Sequence, residues 1–299
     1  MTYSQAATLK RKFIEERQRI LKRNVTSLEN TLYDAIFNKL IADLDVTDGK
    51  IVSNNKNIDL TSALNKIFDT FNKSEYLPLI KAFSKDFQQI QKLNETYFDI
   101  LAQDKKKLDT VSKQVNSIME KTIGITNDGK IVSKGYLDRL VTDNTLQSEI
   151  KTLTYRAVTG GLPIVDYKDS IKRLVVGSDN VDGALQKHFN TFAYDTYTQF
   201  DRTSSKLYAV KLDLKYFIYA GGEINTTRCF CDRNNGKVFS TDEAEEWIRL
   251  LNDECGPIWN EKVDGTYDPI SDMGGYNCRH TPDYISETIA KKLRPDLEN

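Results

Sequence analysis

The chain has 299 residues, with 42 Lys and Arg against 43 Asp and Glu. The resulting formal net charge of −1 provides no overall attraction to DNA or to an acidic membrane, so any nucleic-acid contact would have to be local. This length is enough for one large or two ordinary domains with hydrophobic cores. The mean hydropathy of −0.52 is polar, but 15 Tyr and 13 Phe supply surface to bury, and wholesale disorder is not expected.

No apolar run approaches the roughly 18 residues needed to span a bilayer, and the N-terminal residues lack the apolar core of a secretory signal. We therefore expect no membrane partner, and a protein that is made and folded in the cytoplasm. All four cysteines lie after residue 228, which excludes a disulfide framework running through the whole chain.

The first predicted element is a helix from residue 5 to about residue 43, since apolar side chains recur there every three or four positions. Its first half is rich in basic residues. They are interpreted either as the solvated face of an amphipathic helix or as a DNA-binding arm. The nucleic-acid candidates are Arg17, Arg19, Lys22 and Arg23.

Two β-hairpins are predicted in the N-terminal part, at 44–53 and 123–133. Each contains the sequence Asp-Gly-Lys-Ile-Val-Ser, and the two copies are 80 residues apart. The Asp-Gly pair accepts the positive φ that a tight hairpin turn needs. Helical sequence follows each copy, at 60–71 and at 137–158. A duplicated helix–hairpin unit and the chance recurrence of a common turn both remain open.

Between the hairpins, an apolar stripe from 79 to 118 predicts one helix of about 40 residues. Gly160-Gly161-Leu162-Pro163 then interrupts the helical pattern. The predicted domains are therefore a long-helical domain, 1–158, and a smaller α+β domain, 159–299. In the second domain we expect helices at 166–175 and 182–211 and a strand at 216–219.

The last 75 residues contain the unusual side chains. Asn234-Asn235-Gly236 predicts a tight hairpin turn, Thr241 is a candidate helix N-cap, and Pro282 is expected to open a terminal helix ending near Leu293. Two short signatures lie in this region. The first consists of Arg228, Cys231, Gly236 and Phe239, and the second of Asn277, Cys278, Arg279 and His280.

In this order the two signatures resemble the C-terminal module of the phage Mu protein F-like head morphogenesis family, over residues of about 157–290. The resemblance implies a minor capsid or head morphogenesis protein of a tailed phage, located in the capsid interior or near the portal of the virion. Portal, coat or scaffold proteins are the implied partners, with packaged DNA as a further candidate. A non-catalytic, portal-associated role in capsid assembly, including in an oligomer, is expected.

Three interpretations of the cysteine region remain open. Cys229, Cys231, Cys278 and His280 form a candidate structural zinc site, because four sulfur and nitrogen donors suit tetrahedral zinc, although Cys-x-Cys is tighter than the usual ligand spacing. A disulfide from Cys229 or Cys231 to Cys278, with Cys255 as a further candidate, is the second interpretation. The third is reduced packing thiols beside an ion-pair cluster formed by three charged side chains, Arg228, Asp232 and Arg279.

An enzyme is the runner-up function. A zinc-dependent nuclease or hydrolase would use the same cysteine and histidine residues with an open metal position and a carboxylate base. The sequence contains no phosphate-binding P-loop, no Gly-x-Gly-x-x-Gly and no His-Glu-x-x-His motif. A DNA-binding module that uses the basic N-terminal helix is the third candidate.

Overall fold

The structure is a computed structural model that describes residues 1–102, 104–126, 128–142, 144–251, 253–257, 266–275 and 278–298. The fold is mainly helical with a small α+β region near its C-terminal end, as predicted. The helices are α1 (Tyr3–Lys39), α2 (Asn55–Leu60), α3 (Ala63–Phe71), α4 (Leu77–Ala102), α5 (Lys105–Ile118), α6 (Tyr136–Thr142), α7 (Thr145–Thr159), α8 (Ile164–Val175), α9 (Ala184–Leu212), α10 (Cys229–Asn234), α11 (Thr241–Glu245), α12 (Pro269–Asp272) and α13 (Glu287–Leu293).

Short antiparallel strands complete the fold. Two of the sheets are two-stranded, and the third has the strand order β6-β5-β7. None of the helices in the described part of the chain is long and apolar enough to cross a lipid bilayer. The strands are β1 (Val46–Thr47), β2 (Lys50–Ile51), β3 (Gly177–Ser178), β4 (Val181–Asp182), β5 (Tyr216–Ala220), β6 (Val238–Ser240) and β7 (Thr281–Ile285).

The chain forms two compact units, and each takes segments from both sides of the domain boundary predicted near residue 158. Unit 1 contains Met1–Gln18, Asp86–Lys121 and Ala193–Asn299, whereas unit 2 contains Arg19–Lys85 and Thr122–Phe192. The units differ from the predicted domains because segments far apart in sequence pack together. In unit 1, for example, the rings of Phe98 and Tyr208 stack with centroids 4.8 Å apart.

The helix predicted from 79 to 118 is in fact two helices, α4 and α5. The side chain of Asp104 caps the second helix by accepting a hydrogen bond of 3.1 Å from the backbone N–H of Lys107. An Asp at this position stabilises a helix N-terminus, so a new helix starts although the apolar spacing continues. Apolar periodicity alone did not reveal this break.

The first predicted hairpin is present as β1 and β2, which pair with Val46 opposite Ile51. Asp48 and Gly49 both have positive φ, 51° and 75°, as the two-residue hairpin turn requires. The second copy closes through one isolated bridge, between Ile125 and Ile131. The two copies of the repeated sequence therefore differ in the extent of strand pairing among the described residues.

The C-terminal sheet differs from prediction at both edges of β5. Pro282 does not open a helix but lies in β7, opposite Tyr219. Proline is tolerated on an edge strand because its missing N–H can face away from the ladder. On the other side, Cys229–Asn234 is a helix rather than a hairpin arm, and Ser240, not Thr241, caps the next helix through a capping box with Glu243.

Unit 1 contains a buried ion pair that the sequence did not reveal. Lys10 belongs to the basic first half of α1, yet it is fully buried, and its Nζ lies 3.1 Å from Oδ1 of Asp201. Asn94 and Ser205 accept further hydrogen bonds from Nζ at 3.1 and 3.2 Å. Burial lowers the pKa of Lys10, while Asp201 opposes that shift. A buried charge of this kind depends on its partners.

Removing one member of this pair is expected to destabilise the protein strongly. Lys10→Ala should lower the free energy of unfolding by about 3 to 5 kcal/mol, because it leaves the Asp201 carboxylate buried without its cation. Urea denaturation measures the change. The control is Lys12→Ala at an exposed position of the same helix, where a loss within about 0.5 kcal/mol is expected. Equal losses in the two variants would contradict the assignment.

Candidate functional site

Four chemically active side chains converge inside unit 1: Tyr219 of β5, Cys231 of α10, and Cys278 and His280 just before β7. The two sulfur atoms are 3.7 Å apart, and Nδ1 of His280 is 3.8 Å from Sγ of Cys278. The ligand atoms of the two cysteines and the histidine all lie within 4.8 Å of one another. We call these three residues together with Tyr219 the thiol–imidazole cluster.

The central strand β5 positions this cluster. Phe217 and Tyr219 face inwards in its alternating pattern and are fully buried. Pairing with β6 continues one step beyond that strand, because the N–H of Tyr219 donates to the carbonyl of Lys237 and its carbonyl accepts from Gly236, at 2.9 and 2.7 Å. The phenol oxygen of Tyr219 therefore has a fixed position, 3.2 Å from Sγ of Cys231 and 3.7 Å from Sγ of Cys278.

Arg202, in the second half of α9, organises the segment that carries Cys278 and His280. Its Nε donates to the His280 carbonyl at 2.9 Å and its Nη2 to the Cys278 carbonyl at 2.7 Å. Its Nη1 donates to the carbonyls of Ser271 and Asp272, both at 3.2 Å. The guanidinium is 2% exposed, and only a fork of several N–H groups can satisfy so many carbonyls at once.

Two glycines let backbone approach the cluster closely. A Cβ at Gly274 would collide with Sγ of Cys231 and lie 3.1 Å from both Sγ of Cys278 and the Tyr219 oxygen. A Cβ at Gly221 would lie 2.7 Å from Cα of His280. Nη1 of Arg228 donates to the Gly274 carbonyl at 3.0 Å. Arg228, the first residue of the first signature, thus fastens the loop that covers the sulfur atoms.

Aromatic rings line the cluster on the side of α10 and β6. Trp247 packs edge-on against Phe230, Phe239 and Tyr219, with ring centroids 5.3, 5.3 and 5.6 Å apart. Phe239 of the first signature is therefore a packing residue. Gly236 of the same signature has φ of +79°, which suits its role in the turn between α10 and β6.

The two thiols have opposite electrostatic environments. Burial tends to raise the pKa of Cys278, but the hydrogen bond with Cys231, the positive charge of Arg202 and the interaction with His280 bring it well below its usual value. The pKa of Cys231 is raised by its hydrogen bond to Cys278 and by burial. Both shifts follow from the close contact of the two sulfurs and from the groups packed around them.

Cys229 does not join the cluster, although it was predicted as a ligand. It forms a disulfide with Cys255, with Cα atoms 5.3 Å apart, which is an ordinary separation for such a bond. Cys231 and Cys278 remain free and buried. The structure thus places Cys231, Cys278 and His280 together and Cys229 elsewhere, because side chains two positions apart on a helix diverge by roughly 200°.

The ion-pair cluster considered for the charged signature residues is not found within the described residues. Asp232 and Arg279 are exposed, and none of the ion pairs among described side chains joins them to each other or to Arg228. Asn277 lies outside the described residues.

The nucleic-acid candidates of α1 have two different environments. Nε of Arg17 lies 2.8 Å from Oδ1 of Asp86 in a partly buried ion pair, so this charge is already used within unit 1. Arg19, Lys22 and Arg23 are exposed. Their spacing of three and four residues places them on one helical face of unit 2.

Sequence reasoning missed Tyr219, Arg202 and Gly274. The Gly274-Gly275 pair next to the second signature was a usable signal for close backbone approach. Arg202 and Tyr219 carried no local signal, since each acts on residues 12 to 78 positions away. Comparison with protein-family models, curated proteins and solved structures finds no match to this chain.

Gly274→Ala is expected to disturb the cluster by overpacking. Its methyl group has no room beside the two sulfur atoms, and the free energy of unfolding should fall by about 1 to 3 kcal/mol. Gly222→Ala is the matched control, because its Cβ would meet only the flexible side-chain end of Glu15, at 3.0 Å. Denaturant titration of both variants checks this, and equal stability of both variants would rule out close packing over the sulfurs.

Peptide mapping without reductant is expected to recover a Cys229–Cys255 linkage from oxidised protein. A loop with a sequence separation of 26 contributes about 3.5 kcal/mol in the chain-entropy account. Reduction should therefore lower the denaturation midpoint of the wild type and leave that of Cys255→Ser unchanged. Recovery of Cys229 linked to Cys278 instead would refute the pairing.

Proposed function

We propose that this chain is a minor capsid or head morphogenesis protein of a tailed phage, acting without catalysis near the portal or packaged in the head. The proposal rests on the resemblance carried by the two C-terminal signatures. It implies the virion as the location and portal, coat or scaffold proteins as partners. The observation that supports it best is the distance of 3.7 Å between Sγ of Cys231 and Sγ of Cys278.

That distance matters because the two cysteines belong to different signatures and are separated by 47 positions in the sequence. Two signatures that resemble a family only by chance are not expected to lie next to each other in the folded chain. Here each signature supplies one cysteine to the same buried cluster. In addition, Arg228 of the first signature donates a hydrogen bond to the loop that precedes the second signature. This behaviour is expected of one folded module.

The burial of the cluster supports a structural role over a catalytic one. Cys231, Cys278 and His280 are 3%, 6% and 2% exposed. A cysteine nucleophile or a metal-bound water must reach its substrate, and these donors are covered by Gly274 and by the aromatic side chains around Trp247. The zinc hydrolase interpretation therefore receives no support from the geometry.

A second candidate function, DNA binding by α1, is favoured by one observation. Arg19, Lys22 and Arg23 are exposed on one helical face, so they can contact successive phosphates. Arg17 is left out of this face because it is partly buried in its ion pair with Asp86. Such a contact would serve a protein that meets packaged DNA.

The capsid role predicts that the chain is present in phage particles. In the phage or prophage that encodes it, deletion of the gene should lower the yield of DNA-filled heads, and wild-type protein supplied in trans should restore it. Mass spectrometry of gradient-purified particles, together with affinity purification of the tagged chain, should find it with portal or coat protein. Particles that lack the chain and form in normal yield without it would refute the proposal.

Neutralising the exposed basic face is expected to weaken DNA binding without unfolding the protein. For the triple variant R19Q/K22Q/R23Q, the slope of log affinity against log salt concentration should fall by roughly 2 to 3, as expected for three phosphate contacts. The triple variant K105Q/K106Q/K107Q removes the same charge from exposed positions of α5 and should bind like the wild type. Identical slopes for both triple variants would exclude this face as the contact.

A further inference from the structure

We propose that the thiol–imidazole cluster is a tetrahedral zinc site, with Cys231, Cys278 and His280 as ligands and the Tyr219 hydroxyl at the fourth corner. The inference does not depend on the capsid role. It rests on donor geometry, on burial and on the chemistry of the donor set, and it replaces the four-residue ligand set expected from the sequence.

The distances between donor atoms fit a single small cation. With Zn–S bonds of about 2.3 Å and Zn–N bonds of about 2.0 Å, tetrahedral geometry places two sulfur ligands about 3.8 Å apart and a sulfur and a nitrogen ligand about 3.5 Å apart. The sulfur atoms of Cys231 and Cys278 are 3.7 Å apart, and Nδ1 of His280 is 3.8 Å from Sγ of Cys278. A disulfide would bring the same sulfurs to about 2 Å.

The phenol oxygen of Tyr219 completes the polyhedron. A tetrahedral oxygen ligand lies about 3.5 Å from each sulfur ligand. The oxygen of Tyr219 is 3.2 Å from Sγ of Cys231 and 3.7 Å from Sγ of Cys278, close to these values. Because Tyr219 takes up this corner and is fully buried, the arrangement resembles a closed structural site rather than an open catalytic one.

The charges of the donors also suit a divalent cation. Nδ1 is the His280 nitrogen that faces Cys278, so a metal bound there requires the proton of the neutral imidazole to lie on Nε2, which has no hydrogen-bond partner among the described residues. A divalent cation balances two thiolates, and together with a neutral imidazole it leaves an uncharged, buried assembly.

The donor types select the metal. Two thiolates and an imidazole favour zinc and other borderline or soft metals, whereas Mg²⁺ and Ca²⁺ prefer oxygen ligands. Arg202 further fixes the site, because it hydrogen-bonds the carbonyls of both Cys278 and His280. Outer contacts of this kind orient metal ligands in proteins. The site would then link α10 to the start of β7, the two ends of the module.

The test is the metal content of the full-length protein, purified with zinc in the medium and dialysed against a weak chelator. We expect about one zinc per chain in the wild type, and less than a tenth of that in Cys231→Ser, Cys278→Ser and His280→Gln. Cys229→Ser is the matched control and should keep its zinc, because Cys229 bonds with Cys255. Loss of zinc in that control as well would overturn the ligand assignment.

A second measurement on the wild type protects the test from variants that fail to fold. Cobalt substitution should produce thiolate charge-transfer and tetrahedral ligand-field bands, and blocking two thiols per chain with a mercurial should release the metal.

Tyr219→Phe should bind zinc about tenfold more weakly; unchanged affinity would remove Tyr219 from the fourth corner. Wild-type protein without tightly bound metal would overturn the proposal. A Cys231–Cys278 disulfide would overturn it too, and it would be seen as a deficit of two further hydrogens beyond the two that the Cys229–Cys255 bond removes.

Discussion

The C-terminal module depends on the buried guanidinium of Arg202. It donates to the carbonyls of Ser271, Asp272, Cys278 and His280 at 2.7 to 3.2 Å. A buried cation without such partners would cost several kcal/mol, and irregular backbone without donors would also be penalised. Each therefore stabilises the other. As a consequence, Arg202 holds the backbone just before β7 in place. The side chains of Cys278 and His280 project from this backbone into the cluster.

Local patterns in the sequence predicted the parts of this molecule that local physics decides. Apolar spacing predicted α1 and α9 to within a few residues, because apolar side chains recur every three or four positions in each helix. Asp48-Gly49 predicted a hairpin because its backbone geometry needs residues that accept positive φ. The pairing of the two signatures also placed Cys231 and Cys278 in one region, although nothing in the spacing indicated which cysteines would meet.

The remaining features depend on partners that are distant in sequence. Lys10 looks like any other charge of a basic helix, and only the arrival of Asp201 and Asn94 makes its burial tolerable. Pro282 looks like a helix opener until β5 provides an edge for it. The role of Tyr219 arises in the same way, since a strand of five aromatic and aliphatic residues does not reveal which hydroxyl will face two sulfurs.

The close Cys-x-Cys spacing was an argument against a zinc site that includes both Cys229 and Cys231. This argument no longer applies, because both residues lie in the short helix α10. Neighbours two positions apart on a helix point in nearly opposite directions, so Cys229 is directed outwards to Cys255 while Cys231 is directed inwards to Cys278. Cys229 is exposed and Cys255 is half-buried, so this pair can respond to the redox conditions around the protein. The inner thiols are shielded from those conditions by burial. A single turn of helix thereby separates the disulfide-bonded Cys229 from the free, buried Cys231, although only one residue lies between them in the sequence.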